Sequence, residues 1–161
     1  MIGGLLQRPA VVEVSPRDAD VIADIHADAF RRNWSAGDFL SLLSEPTVFA
    51  LGVRLRPLFG APRLVAFVLV RFTADEAEIL TIAVRRSHRR RGFARLLMDD
   101  VLRRLYRERI SALFLEVDRA NAAAVGLYRR LGFLVAGERR NYYAVPREGD
   151  GTALVMRLQV R

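Results

Sequence analysis

The stretch Ile82-Ala83-Val84-Arg85-Arg86-Ser87-His88-Arg89-Arg90-Arg91-Gly92-Phe93-Ala94-Arg95 turns an apolar run into a basic loop and the loop into a helix. Glu76–Val84 reads as a strand. After Gly92 the residues Phe93, Leu96, Leu97, Val101, Leu102 and Leu105 recur at helical spacing, so a long helix with one apolar stripe begins there. A helix N-terminus offers unpaired N–H groups and a partial positive charge, and together these make an anion site. Gly92 lets the backbone approach a ligand or turn left-handed. The arginines add charge that does not titrate near neutral pH. A pyrophosphate suits such a place; the alternative is a solvated basic loop that happens to precede a helix. Neither the triphosphate pattern Gly-x-x-x-x-Gly-Lys-Ser/Thr nor the dinucleotide pattern Gly-x-Gly-x-x-Gly occurs here.

Upstream, Val11–Val14 is a short strand candidate. Ser15-Pro16 starts a helix whose Val21, Ile22, Ile25, Ala29 and Phe30 share one face. A second short helix follows Ser35 and carries Phe39, Leu42 and Leu43. Val48–Leu55 and the nearly all-apolar Leu64–Phe72 read as strands, the latter as a central one, with a Pro/Gly turn between them. Downstream, Ala112–Val117 is a buried strand. Asn121 caps a helix over Ala122–Leu131 that stops at Gly132. Phe133–Ala136 and Thr152–Val160 close the chain as strands. Strand, two helices, three strands, helix, strand, helix and two strands make an α/β domain with a mixed sheet and helices on its faces.

A chain of 161 residues with 52% hydrophobic residues is expected to be one folded domain, residues 1–161. The longest purely apolar run, Leu64–Val70, is far shorter than the roughly 20 residues of a spanning helix, so no membrane association is expected. Met1–Leu6 has neither a basic region nor a long apolar stretch, so no signal peptide is expected. The chain has no cysteine, which excludes disulfides, thiolate metal sites and a cysteine nucleophile. A cytoplasmic location fits. The net charge is +8, and all 26 basic residues are arginine. That balance reflects either a polyanionic partner or a coding bias.

The spacing Arg89-Arg90-Arg91-Gly92-Phe93-Ala94 resembles the (Arg/Gln)-x-x-Gly-x-(Gly/Ala) signature of the GCN5-related N-acetyltransferase superfamily, which lies between a strand and a helix. A later block, Leu115-Glu116-Val117 followed by Asn121 through Tyr128 to Gly132-Phe133, resembles the same superfamily. Phe30 with Trp34-Ser35, Glu76–Val84 and Arg139-Arg140-Asn141-Tyr142-Tyr143 resemble most its branch that acetylates the N-terminal alanine of a small-subunit ribosomal protein. Ala94 stands where glycine is frequent, and Val53–Arg63 looks longer and richer in proline than the equivalent hairpin. The resemblance implies a central mixed sheet of about seven strands flanked by about four helices. It also implies an enzyme that takes acetyl-CoA as donor, needs no metal, and acetylates the N-terminus of a protein, most of all a ribosomal one, by direct transfer in a ternary complex.

By the same resemblance, the backbone of Ile82, Ala83 and Val84 lies along the pantetheine arm as a pseudo-strand. Arg90, Arg91, Gly92, Phe93, Ala94 and Arg95 wrap the pyrophosphate, although the arginine side chains could equally face solvent. Glu116 is the one charged residue inside an apolar strand. Facing a cleft, it would serve as the base that takes a proton from the incoming ammonium, directly or through water; facing solvent, it would be an ordinary strand residue. Tyr128 lies nearly two helical turns after Asn121, and a phenol there can protonate the departing thiolate; otherwise it is a core tyrosine. Asn121 is read as a cofactor contact, as a plain helix cap, or both. Trp34, Arg140, Tyr142 and Tyr143 are candidates for the acceptor side. His26 and His88 are expected on a helix surface and in a loop. Two other functions fit less of the sequence. An acetyltransferase for a small-molecule amine or a lysine would use the same core. A basic ribosome- or nucleic-acid-binding module would leave Glu116 and Tyr128 without a role, so direct nucleic-acid binding is not expected.

Overall fold

A computed structural model of the chain describes residues 8–30, 34–140 and 151–161. The described residues form strands β1 (Arg8–Glu13), β2 (Val48–Arg56), β3 (Arg63–Thr73), β4 (Glu76–Val84), β5 (Ala112–Asp118), β6 (Leu134–Arg139) and β7 (Ala153–Gln159). Helices are α1 (Ala19–Ala29), α2 (Ala36–Leu43), α3 (Phe93–Arg107) and α4 (Ala122–Arg130). The strands lie in one mixed sheet of order β1-β2-β3-β4-β5-β7-β6. This is the α/β architecture and element order expected from the sequence. Two compact units divide the chain: Met1–Arg71 with Leu80–Arg103, and Phe72–Ile79 with Arg104–Arg161.

In the first unit, β1 pairs antiparallel with β2 and β2 with β3, the latter ladder shifting register between Val53 and Arg54. Leu64 through Val70 are all buried, as a strand covered on both faces requires. Ile22 and Ile25 of α1 and Phe39 of α2 pack with Phe67, Leu69 and Ala83 into one core. α2 begins where it does because Ser35 Oγ accepts the Asp38 N–H at 3.1 Å while the Asp38 carboxylate accepts the Ser35 N–H at 2.9 Å. A reciprocal cap of this kind contributes about 1 kcal/mol. His26 departs from expectation. It is 3% exposed, with its ring stacked on Phe30 at 4.5 Å and on Trp34 at 5.2 Å. Its position one turn after Ile22 puts it on the buried face of α1.

In the second unit, β5 pairs antiparallel with β7 from Ala112↔Gln159 to Asp118↔Ala153, and β6 flanks β7 with a shift between Val135 and Gly137. The first residues of β4 run parallel to β5, Glu76↔Ala112 through Glu78↔Phe114. Leu113, Leu115, Leu105, Phe133 and Met156 are fully buried. Side chains alternate along a strand, so Leu113, Leu115 and Val117 share the buried face of β5 while Phe114, Glu116 and Asp118 share the half-buried one. α4 stops at Gly132, whose φ of 102° ends a helix without the penalty other residues carry.

Candidate functional site

The basic loop of the first unit divides its arginines into anchors and free ends. Arg85 donates its backbone N–H to the Val65 carbonyl at 2.8 Å and its Nε to the Leu64 carbonyl at 3.2 Å. Arg86 donates its N–H to the Asp28 carboxylate at 2.7 Å and its Nε to the Asp28 carbonyl at 3.0 Å. These bonds fix where the loop leaves β4. His88, expected as a loop residue, stands there in a 3₁₀ turn and is only 5% exposed, with Nδ1 2.7 Å from Ser87 Oγ and its ring tilted against Phe93. Burial first, then the charges of Arg91, Arg63 and Arg85, hold its pKa below the usual imidazole value.

Above this floor the backbone turns left-handed twice, at Arg90 (φ 63°) and Gly92 (φ 79°). A left-handed non-glycine residue is uncommon, and such strain concentrates where a loop clamps a ligand. A Cβ at Gly92 would meet nothing within 4 Å, so glycine is required there by its backbone angle and not by crowding. The Gly92 carbonyl accepts the Leu96 N–H at 3.0 Å, the first bond of α3. Phe93 is buried, Ala94 half-buried, and Arg90 and Arg91 exposed. Arg95 is turned along the helix to Asp99 at 3.2 Å. Ile82 and Val84 are half-buried, and Ala83 is packed into the core.

Also in this unit, Trp34 is half-buried. Its backbone N–H donates to His26 Nδ1 at 3.2 Å, and its ring is tilted against Phe39 at 5.4 Å. Burial lowers the His26 pKa to about 4, so near neutral pH the ring is uncharged and its Nδ1 is free to accept that bond.

In the second unit, Glu116 lies on the half-buried face of β5 with its side chain 20% exposed. It is neither an isolated core carboxylate nor a free surface one: Arg139 Nε of β6 sits 3.0 Å from its Oε1. Tyr128 is 5% exposed and meets the Phe133 ring edge-on at 5.6 Å. Asn121 Oδ1 accepts the Ala124 N–H at 3.2 Å, which makes it the cap of α4. That bond uses the carbonyl end of the side chain; the NH₂ end takes no part in it. Arg140 is exposed just after β6. The expectations for Tyr142 and Tyr143 lie outside the described residues. Asp28, His88 and the pairing of Arg139 with Glu116 were not legible as site features. A carboxylate late in α1 and a histidine inside an arginine run were the available signals for the first two.

A family model described as Acetyltransferase (GNAT) family matches residues 19–133. The [ribosomal protein bS18]-alanine N-acetyltransferase of Salmonella typhimurium is 39% identical over 98 residues, 61% of this chain and 66% of that protein. The matched stretch thus spans just under two thirds of that relative's length. The crystal structure of the ribosomal-protein-S18-alanine N-acetyltransferase from Escherichia coli superposes with a TM-score of 0.85 at 28% identity, covering 95% of this chain and 94% of that one. Arabidopsis thaliana NAA60 in complex with acetyl-CoA superposes with a TM-score of 0.81 at 19% identity, covering 94% and 98%, a likeness of fold.

Proposed function

The chain belongs to the acetyltransferase (GNAT) family, and from that premise we propose that it transfers the acetyl group of acetyl-CoA to the N-terminal alanine of a small-subunit ribosomal protein. The observation that carries the reading is the likeness to the Escherichia coli S18-alanine N-acetyltransferase along 95% of the chain. The whole chain then acts as one catalytic domain. Its place of action is the cytoplasm, a reading supported by the bacterial ribosomal relatives.

The residues take roles that suit their surroundings. Ile82, Ala83 and Val84 offer strand backbone to the amides of the pantetheine arm. The left-handed turns at Arg90 and Gly92 aim N–H groups at the pyrophosphate, and Arg91, Phe93, Ala94 and Arg95 complete the start of the helix around it. Asn121 meets the donor with its NH₂ end. Trp34 and Arg140 belong to the acceptor side. An N-terminal amine, pKa about 8, arrives mostly as ammonium at neutral pH. Glu116 takes its proton, directly or through a water. The freed lone pair forms a bond to the thioester carbonyl carbon, and the C–S bond breaks as the tetrahedral intermediate collapses. The thiolate takes a proton from Tyr128, and the nitrogen gives up its second proton to the phenolate so left. The products are CoA and the acetylated amine, with the first proton passing from Glu116 to solvent. No acyl-enzyme forms; with no cysteine in the chain, the amine itself is the nucleophile. Holding amine and thioester in reacting geometry supplies much of the rate.

Steady-state acetylation of peptides that differ only in their first residue tests this. The reading expects the highest kcat/KM for alanine-first peptides carrying the ribosomal sequence. A preference for free lysine or a small amine would overturn the acceptor assignment while leaving the donor assignment in place.

A further inference from the structure

We propose that Arg63, which stands outside the Arg89–Ala94 signature, belongs to the same anion site and holds a phosphate of the donor's nucleotide end. The inference rests on the donor reading above and adds to it a residue from another strand. Arg63 opens β3 and is exposed. The next two residues, Leu64 and Val65, are the carbonyls to which Arg85 is tied, at 3.2 and 2.8 Å. Those two bonds fix the first turn of the basic loop against the start of β3, so Arg63 is anchored beside the loop by backbone geometry and not by its own side chain.

The charge distribution agrees. Arg63 from the start of β3 and Arg85 and Arg91 from the basic loop all bear on the buried His88 and disfavour its protonated form. Arg85, Arg86 and Arg95 are already engaged, by Leu64, Asp28 and Asp99. Among the described residues no carboxylate is paired with Arg63 or Arg91. Two unpaired guanidiniums held near a third repel one another, and an anion between them removes that repulsion. CoA carries a pyrophosphate and a ribose phosphate at its nucleotide end, and guanidinium matches phosphate with paired N–H donors.

The test measures CoA binding by calorimetry at one fixed ionic strength, for wild type, Arg63→Gln, Arg63→Lys and the exposed control Arg107→Gln. The expected result is roughly tenfold weaker CoA binding for Arg63→Gln, partial recovery in Arg63→Lys, and a control within twofold of wild type. Repeating the series with CoA lacking the ribose phosphate identifies the contact: the penalty vanishes if Arg63 holds that phosphate and persists if it holds the pyrophosphate. Arg63→Gln binding CoA within twofold of wild type, or Arg107→Gln losing as much as Arg63→Gln, would overturn the inference and leave the functional reading standing. A wild-type chain that does not bind CoA would overturn both.

Discussion

Replacing Glu116 with Gln separates a structural carboxylate from a catalytic one, because the two predict different magnitudes. The Glu116–Arg139 contact is 3.0 Å long, but the arginine side chain is 59% exposed. A pair so open to solvent contributes about 0.2–1 kcal/mol. Gln keeps the shape and one acceptor oxygen. The melting temperature should therefore fall by no more than about 4 °C. The chemistry should suffer far more, since a positioned general base contributes roughly 10²–10⁴-fold. At pH 7 only about a tenth of an amine of pKa near 8 is uncharged. The variant's rate should therefore climb as pH rises toward 9, where the amine loses its proton without help. The assay is kcat and KM for peptide and acetyl-CoA from pH 6 to 9, with CoA affinity and thermal melting alongside. The expected pattern is kcat lowered at least a hundredfold at pH 7, unchanged CoA affinity and a small melting shift. A variant that keeps kcat within threefold of wild type would refute the assignment of Glu116 as base.

Tyr128→Phe keeps the edge-on contact with Phe133 and removes only the hydroxyl. It should lose about 1 kcal/mol of stability and at least tenfold in kcat at unchanged KM for acetyl-CoA; wild-type turnover would exclude the phenol as proton donor. Gly92→Ala meets no neighbour but must adopt φ near 79°. Denaturant melts should show a loss of about 1–2 kcal/mol, with a raised KM for acetyl-CoA; unchanged stability together with an unchanged KM would contradict the left-handed turn. His26 titrates at about 4 when folded against the ordinary 6.5, so between those values the unfolded chain binds a proton that the folded chain refuses. Stability should then fall as pH drops from 6.5 to 4, and His26→Gln should flatten that limb in urea melts at several pH values. Parallel losses in variant and wild type would show that His26 does not drive it.

Most of the fold was legible because its elements rest on local chemistry. β4 has the limits its sequence pattern predicts, Glu76–Val84, and α2 and α4 begin after Ser35 and Asn121 because those side chains cap them. Charge and polarity misled where packing decided. His26 carries helical periodicity with Ile22, yet a polar label suggested the surface; its burial follows from stacking with Phe30 and Trp34. His88 was hidden in the same way by the arginines around it. The anion loop was legible as a strand-to-helix passage, but its division into anchored and free arginines depends on Asp28, Leu64 and Val65, far away in sequence. The partner of Glu116 was not legible at all, because Arg139 reaches it across a sheet in which β7 stands between β5 and β6. Strand order of that kind is set by long-range pairing, which no local pattern encodes.

The most direct test of the central claim is the position of the acetyl group after the chain is incubated with acetyl-CoA and the intact small-subunit ribosomal protein, read by tandem mass spectrometry. Acetyl on the α-amine of the first alanine is predicted, with none when that amine is blocked beforehand. Acetyl on lysine side chains with the α-amine left free, or no transfer by a chain that binds CoA, would contradict it.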